Sequence, residues 1–166
     1  MTEIDRTAVE GLLTALEQAY RRKSWHGATL RGALSRVDPP MAAWRPAKGR
    51  PNIWEIAVHA AYWKHNVWRR VSHDEVPGFP LDGSDWFPRP ENGVDTKAWK
   101  RDLQILKTMH EGLLGAVSEL TDADLATIPA RGTTTVEDLV RGVAFHDVHH
   151  GGQVQLLKRL YAAQSP

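Results

Sequence analysis

The chain has 166 residues, 42% hydrophobic and 25% charged, with 21 basic and 20 acidic side chains, seven tryptophans, eight histidines and no cysteine. That length suits one compact domain over residues 1–166, and the near-neutral balance lacks the basic footprint of a nucleic-acid or anionic-membrane binder. Without cysteine there is no disulfide, iron–sulfur cluster or thiolate nucleophile, so a metal must be held by imidazole, carboxylate or water.

The first predicted helix runs from Ile4 to Tyr20, with Ala8, Val9, Leu12, Leu13, Leu16 and Ala19 at helical spacing and Thr2, Glu3 and Asp5 in a capped, acidic first turn. Ser24 to Gly27 interrupts it. A shorter stretch carries Leu30, Ala33, Leu34 and Val37 and stops at Asp38-Pro39-Pro40, before a loop from Arg45 to Pro51. Asn52 is a good N-cap for a helix reaching about Val71, whose inward stripe is Ile53, Ile56, Ala60, Trp63 and Val67, with His59 set within it. Residues 72–95 hold Pro77, Gly78, Pro80, Gly83, Pro88, Pro90 and Gly93, which predicts a long loop with Trp86 and Phe87 tucked against the bundle. Structureless loops of that length are uncommon and often functional, so a lid or pocket rim is expected.

Thr96 caps a third long helix in this reading, continuing through Leu103, Leu106, Met109, Leu113 and Val117. Thr121 to Asp124 reads as a helix start cut short by Pro129. Thr133 to Thr135, followed by Glu137 and Asp138, caps a last helix that reaches about Ala162 through Val136, Leu139, Val143, His146, His150, Val154, Leu157 and Leu160. No stretch alternates with period two. The expected fold is therefore all-α, a four-helix bundle with a long crossover loop. The N-terminus lacks the features of a signal peptide, and no apolar run nears the roughly 18 residues of a membrane span, so a soluble cytoplasmic protein is expected.

The histidines carry the chemistry. His146 and His150 lie one turn apart on one face and are able to chelate one ion, as in H-x-x-x-H zinc sites. His146 with His149 is the alternative pair, but His149 points about 100° away from His150, towards the flank of the stripe, as an outer-layer or surface residue. His59 sits on the apolar stripe of another helix, where a bundle places it against the last one. A lone histidine there is more often a hydrogen-bonded core residue than a ligand. Three protein ligands leave an open position for water or substrate. Gln153 could orient a ligand. Gly151 and Gly152 cost roughly 2 kcal/mol within a helix and point to a close approach, a substrate path or a kink. Glu55, one turn before His59, and Asp147, beside His146, are candidate proton acceptors or supports, although each reads more simply as an exposed carboxylate. Trp54, Trp63, Trp86, Tyr62 and His65 are further candidates for a pocket lining.

Asn52 to Trp63 (NIWEIAVHAAYW) and Phe145 to Gln153 (FHDVHHGGQ) resemble the second-helix and last-helix motifs of the DinB/YfiT-like metalloenzyme family, the latter H-[DE]-x-x-H-x-G-Q. Helix order and the crossover also fit. The resemblance implies a four-helix bundle whose His59, His146 and His150 hold one divalent ion such as zinc, nickel or iron. It also implies a small-molecule substrate and a homodimer. Characterised relatives include bacillithiol-dependent transferases and mycothiol-dependent maleylpyruvate isomerase, so a metal-dependent hydrolase or a transferase using a small-thiol cosubstrate is expected. Gly151 stands where the family often has arginine, so no substrate contact by that arginine is carried over. The competing readings are a non-catalytic metal-binding or stress-response bundle, and a helical interaction module with ordinary core histidines.

Overall fold

The computed structural model describes residues 6–91, 95–130 and 132–164. Among the described residues seven helices follow in chain order: α1 (Thr7–Tyr20), α2 (Leu30–Leu34), α3 (Pro39–Ala43), α4 (Ile53–Val71), α5 (Thr96–Ser118), α6 (Asp122–Leu125) and α7 (Val136–Ala162). The chain is all-α, and among the described residues the only strand-like pairing is an isolated bridge between Ser24 and Gly27. The four long helices close a ring: α1 packs on α5 and α7, and α4 packs on the same two.

Local chemistry explains the element ends. Asn52 Oδ1 accepts from Glu55 N at 2.8 Å while Glu55 Oε2 accepts from Asn52 N at 3.3 Å, a reciprocal cap that starts α4. Thr135 caps α7 by accepting from Asp138 N. Three expectations are corrected. Asp95, not Thr96, caps α5: its carboxylate accepts from Ala98 N at 2.8 Å, and a negative charge suits the positive end of the helix dipole. Asp38-Pro39-Pro40 also opens a helix that the sequence reading missed, because Asp38 caps α3 and Pro39 occupies its first turn, where no amide hydrogen is needed. Leu160 is exposed, so the inward stripe of α7 ends at Leu157. The proposed first-turn residues Thr2, Glu3, Ile4 and Asp5 lie outside the described residues.

Two apolar cores fill the ring. One gathers Leu30, Ile53, Trp54, Ala57, Trp99, Leu106 and Val154, and the other gathers Val9, Leu16, Val67, Leu113, Val117, Val140 and Ala144. At Gly112 the backbone of α5 comes so close to the Trp68 ring that a Cβ would collide with it. Between the cores lies a polar waist, where α4 contributes His59 and Lys64, α5 His110, and α7 His146, Asp147 and His150.

Candidate metal centre

His59 on α4 and His146 and His150 on α7 come together at this waist. His146 Nε2 lies 3.1 Å from His59 Nε2 and 3.0 Å from His150 Nε2. The tautomers of two rings follow from their other nitrogens. His59 Nδ1–H donates to the backbone carbonyl of Asp85 at 2.8 Å, and His150 Nδ1–H donates to Gln153 Oε1 at 2.7 Å. Both Nε2 atoms therefore carry lone pairs, and both face His146 Nε2.

Burial is the main force lowering the proton affinity of all three. His146 is pushed down to about 3, by burial first and then by its two partners, and His150 to about 4. His59 is also lowered by burial, against the raising effect of Asp85. The rings are neutral at physiological pH, the state in which imidazole binds metal.

These residues fit a divalent ion. One proton on His146 Nε2 can serve both neighbours, but then His146 Nδ1, buried and without a partner, is left as a bare acceptor. With the proton on Nδ1 instead, three lone pairs converge with no donor among them. Either arrangement leaves a buried polar group unsatisfied, which is costly. A cation takes up the three converging lone pairs of the second, leaving only His146 Nδ1–H without a partner. Donors roughly 2.0–2.1 Å from one ion lie about 3.0–3.4 Å apart, near the two separations seen.

The 72–91 loop builds the rim. Trp86, which the sequence reading tucked inward, is 42% exposed, yet its ring stacks on His59 with centroids 3.9 Å apart and planes within 10°. Phe87 is buried. Asp85 was missed: besides its carbonyl on His59, its Oδ1 accepts from Trp63 Nε1 at 2.8 Å and lies 3.3 Å from His59 Nδ1. Its φ of 61° is the left-handed conformation that costs a non-glycine residue, and such strain collects at functional sites. No sequence signal marks a backbone carbonyl as a histidine partner. The loop is pinned on the far side by His65 Nε2–H, which donates to the Pro77 carbonyl at 2.7 Å, and by Tyr62 against Phe79 and Phe87.

The other sequence candidates fall in different places. Trp63 stands edge-on to His59 and His146, with ring centroids 6.4 and 6.5 Å away. His149 is exposed, its ring 5.0 Å from His150. Glu55 is held by Arg45 through contacts of 2.6 and 2.7 Å, in addition to its cap, so it is buried rather than exposed. Trp54 is fully buried and donates to Asp102. Gly151 is buried, and a Cβ there would reach Ala28 O at 3.4 Å, whereas Gly152 faces open space. The close approach is therefore the start of α2 against α7.

Asp147 is fully buried as well, facing away from the triad into an ion pair with Lys64. Lys64 Nζ also donates to His110 Nδ1 at 3.2 Å and sits 5.0 Å over the Tyr20 ring, while His110 Nε2–H donates to Glu17 at 3.2 Å. Burial raises the Asp147 carboxyl, against the lowering effect of Lys64. Burial, then the Lys64 charge, drives His110 down to about 2. Burial, reinforced by Asp147, lifts Tyr20 to about 12.

No curated protein and no solved structure matches the chain. A family model does, over residues 23–154, a span that contains α4, the rim loop and the whole histidine cluster. The three-histidine bundle belongs to the DinB superfamily.

Proposed function

We propose that this protein binds one divalent ion through His59, His146 and His150 and works as a metal-dependent enzyme, of hydrolase or small-thiol-dependent transferase type, on a small-molecule substrate. The observation that carries this reading is the convergence of three neutral imidazoles, two with their Nε2 lone pairs fixed inward by Asp85 and Gln153. A bound divalent ion supplies Lewis-acid polarisation and lowers the pKa of a coordinated water or thiol. Around it, Asp85 and Gln153 hold the rings and their tautomers, Trp86 covers one face of His59, and burial keeps competing protons off the nitrogens. Zinc, nickel and iron all suit this donor set. A cytoplasmic setting and a homodimer complete the reading, on the sequence argument alone. Among the described residues no helix is long and apolar enough to cross a membrane.

One observation favours the alternative, a non-catalytic metal-binding or stress-response protein. The two carboxylates picked out as proton acceptors, Glu55 and Asp147, are held by Arg45 and Lys64. Turnover with halide, epoxide or S-conjugate electrophiles and small thiols separates the two readings.

Elemental analysis of the purified chain tests the metal directly. About one ion per chain is expected, absent from His59→Ala and from His150→Ala. Full metal content in His59→Ala would remove the α4 ligand from the site.

A further inference from the structure

From His146 a cleft of about 200 Å³ runs between α4 and α7 towards the C-terminal end of α4. Trp63 and Val67 form one wall, and Leu139 and Val143 the other. Gly142 lies in this cleft, in the second turn of α7. It costs roughly 1 kcal/mol against alanine, and packing does not require it, since a Cβ there would meet nothing within 4 Å. The missing side chain leaves the floor open. At the far end Arg70 lines both this cleft and the wider groove beyond it, which Arg69 also lines. Among the described residues neither arginine has an acidic partner, and Asp138, the acid on the α7 wall, lies 3.6 Å from Arg141. The groove beside Trp86 differs, because its Arg45 is already bound by Glu55 and Glu91.

We propose that the α4/α7 cleft is the substrate channel and takes an elongated molecule with an apolar body and an anionic terminus, the terminus on Arg70 and the reacting end at the histidine cluster. The proposal rests on the metal-enzyme reading and adds the substrate class to it. Seven residues of α4 separate Trp63 from Arg70, a rise of about 10 Å, enough for a chain of six to eight carbons. Largely apolar walls with a few polar groups, here Asn66, Asp138 and Arg70, are the usual make-up of a small-molecule site. An unpaired guanidinium recognises a carboxylate through two parallel hydrogen bonds.

Octanoate and its uncharged amide are the probes, titrated by NMR into the full chain stripped of metal, where the carboxylate has no ion to bind. Octanoate should bind about tenfold more tightly than octanamide. Arg70→Gln should abolish that preference, and Gly142→Leu should weaken both ligands while leaving the fold as stable or more so. Equal binding of acid and amide, a preference that survives Arg70→Gln, or full affinity in Gly142→Leu would each overturn the proposal. Zinc titration of the same samples separates the two readings. Zinc uptake without acid preference removes the channel and leaves the metal site, whereas acid preference without zinc uptake removes the metal site and supports the channel.

Discussion

Two polar clusters share the waist of the bundle at neighbouring positions of α4 and α7, one of them joined by side chains of α1 and α5. Trp63 and His146 border one, while Lys64 and Asp147, the next residue along each helix, form the other. The Lys64 cluster is almost self-sufficient. Its ammonium is met by a carboxylate, an imidazole nitrogen and an aromatic face, and only Asp147 Oδ1 has no partner. The histidine cluster brings acceptors together without a matching set of donors, and it opens towards a cleft and a tryptophan-covered rim. One cluster nearly completes itself within the chain, and the other is an arrangement that could hold a cation.

The largest effect is expected from breaking the closed cluster. Lys64→Met leaves Asp147 buried without its counter-charge, which costs about 3–5 kcal/mol and lowers the melting temperature by roughly 10 °C or more. The double variant Lys64→Met/Asp147→Leu removes the orphaned charge and should recover most of that loss in urea or thermal denaturation. It should also keep its metal. Loss of metal from the stable double variant would mean that the two clusters are one unit, and the contrast between them would fall.

A smaller effect is expected at the open cluster. Gln153→Ala removes the acceptor from His150 Nδ1 and frees the ring to turn or change tautomer. Loss of such an outer partner typically lowers metal affinity 10–100-fold. Competition against a chelator of known affinity measures the change, and the melting temperature of the metal-free chain should hardly move. Unchanged affinity would show that packing alone orients His150.

Much of this arrangement was legible in the sequence, and what was missed has specific causes. The histidines stood out because they occupy apolar stripes of α4 and α7, and the motif resemblance joined them. Lys64 and Asp147 occupy such stripes too: Ala60, Lys64, Val67 and Val71 are spaced four, three and four, and Ala144, Asp147, Gly151 and Val154 are spaced three, four and three. Two opposite charges on two facing stripes were the available signal for a buried pair, and reading Asp147 by itself as an exposed carboxylate obscured it. Asp85 left no such trace. It acts through its backbone carbonyl from a loop without periodicity, and only the fold of that loop brings it to His59. Asp38-Pro39-Pro40 was read as a stop because proline ends helices, although proline also suits a first turn.

The smallest effect, and the finest test of the contrast, is a pH slope. His110 has no exposed surface and its proton affinity is pushed down to about 2, so the folded chain holds it neutral where the unfolded chain protonates it below about 6.5. The unfolded state therefore binds more protons between those values. Stability contributed by the neutral ring is fully present above pH 6.5 and is lost as pH falls below it, by at most about 1.4 kcal/mol per pH unit. His110→Gln keeps an acceptor for Lys64 but cannot titrate, so its stability should fall less steeply by up to one proton between pH 6 and 4. Denaturation midpoints across that range, on metal-free chains, give the slope. Parallel slopes for the two proteins would mean that His110 picks up its proton in the fold, and that the Lys64 cluster yields to protons instead of excluding them.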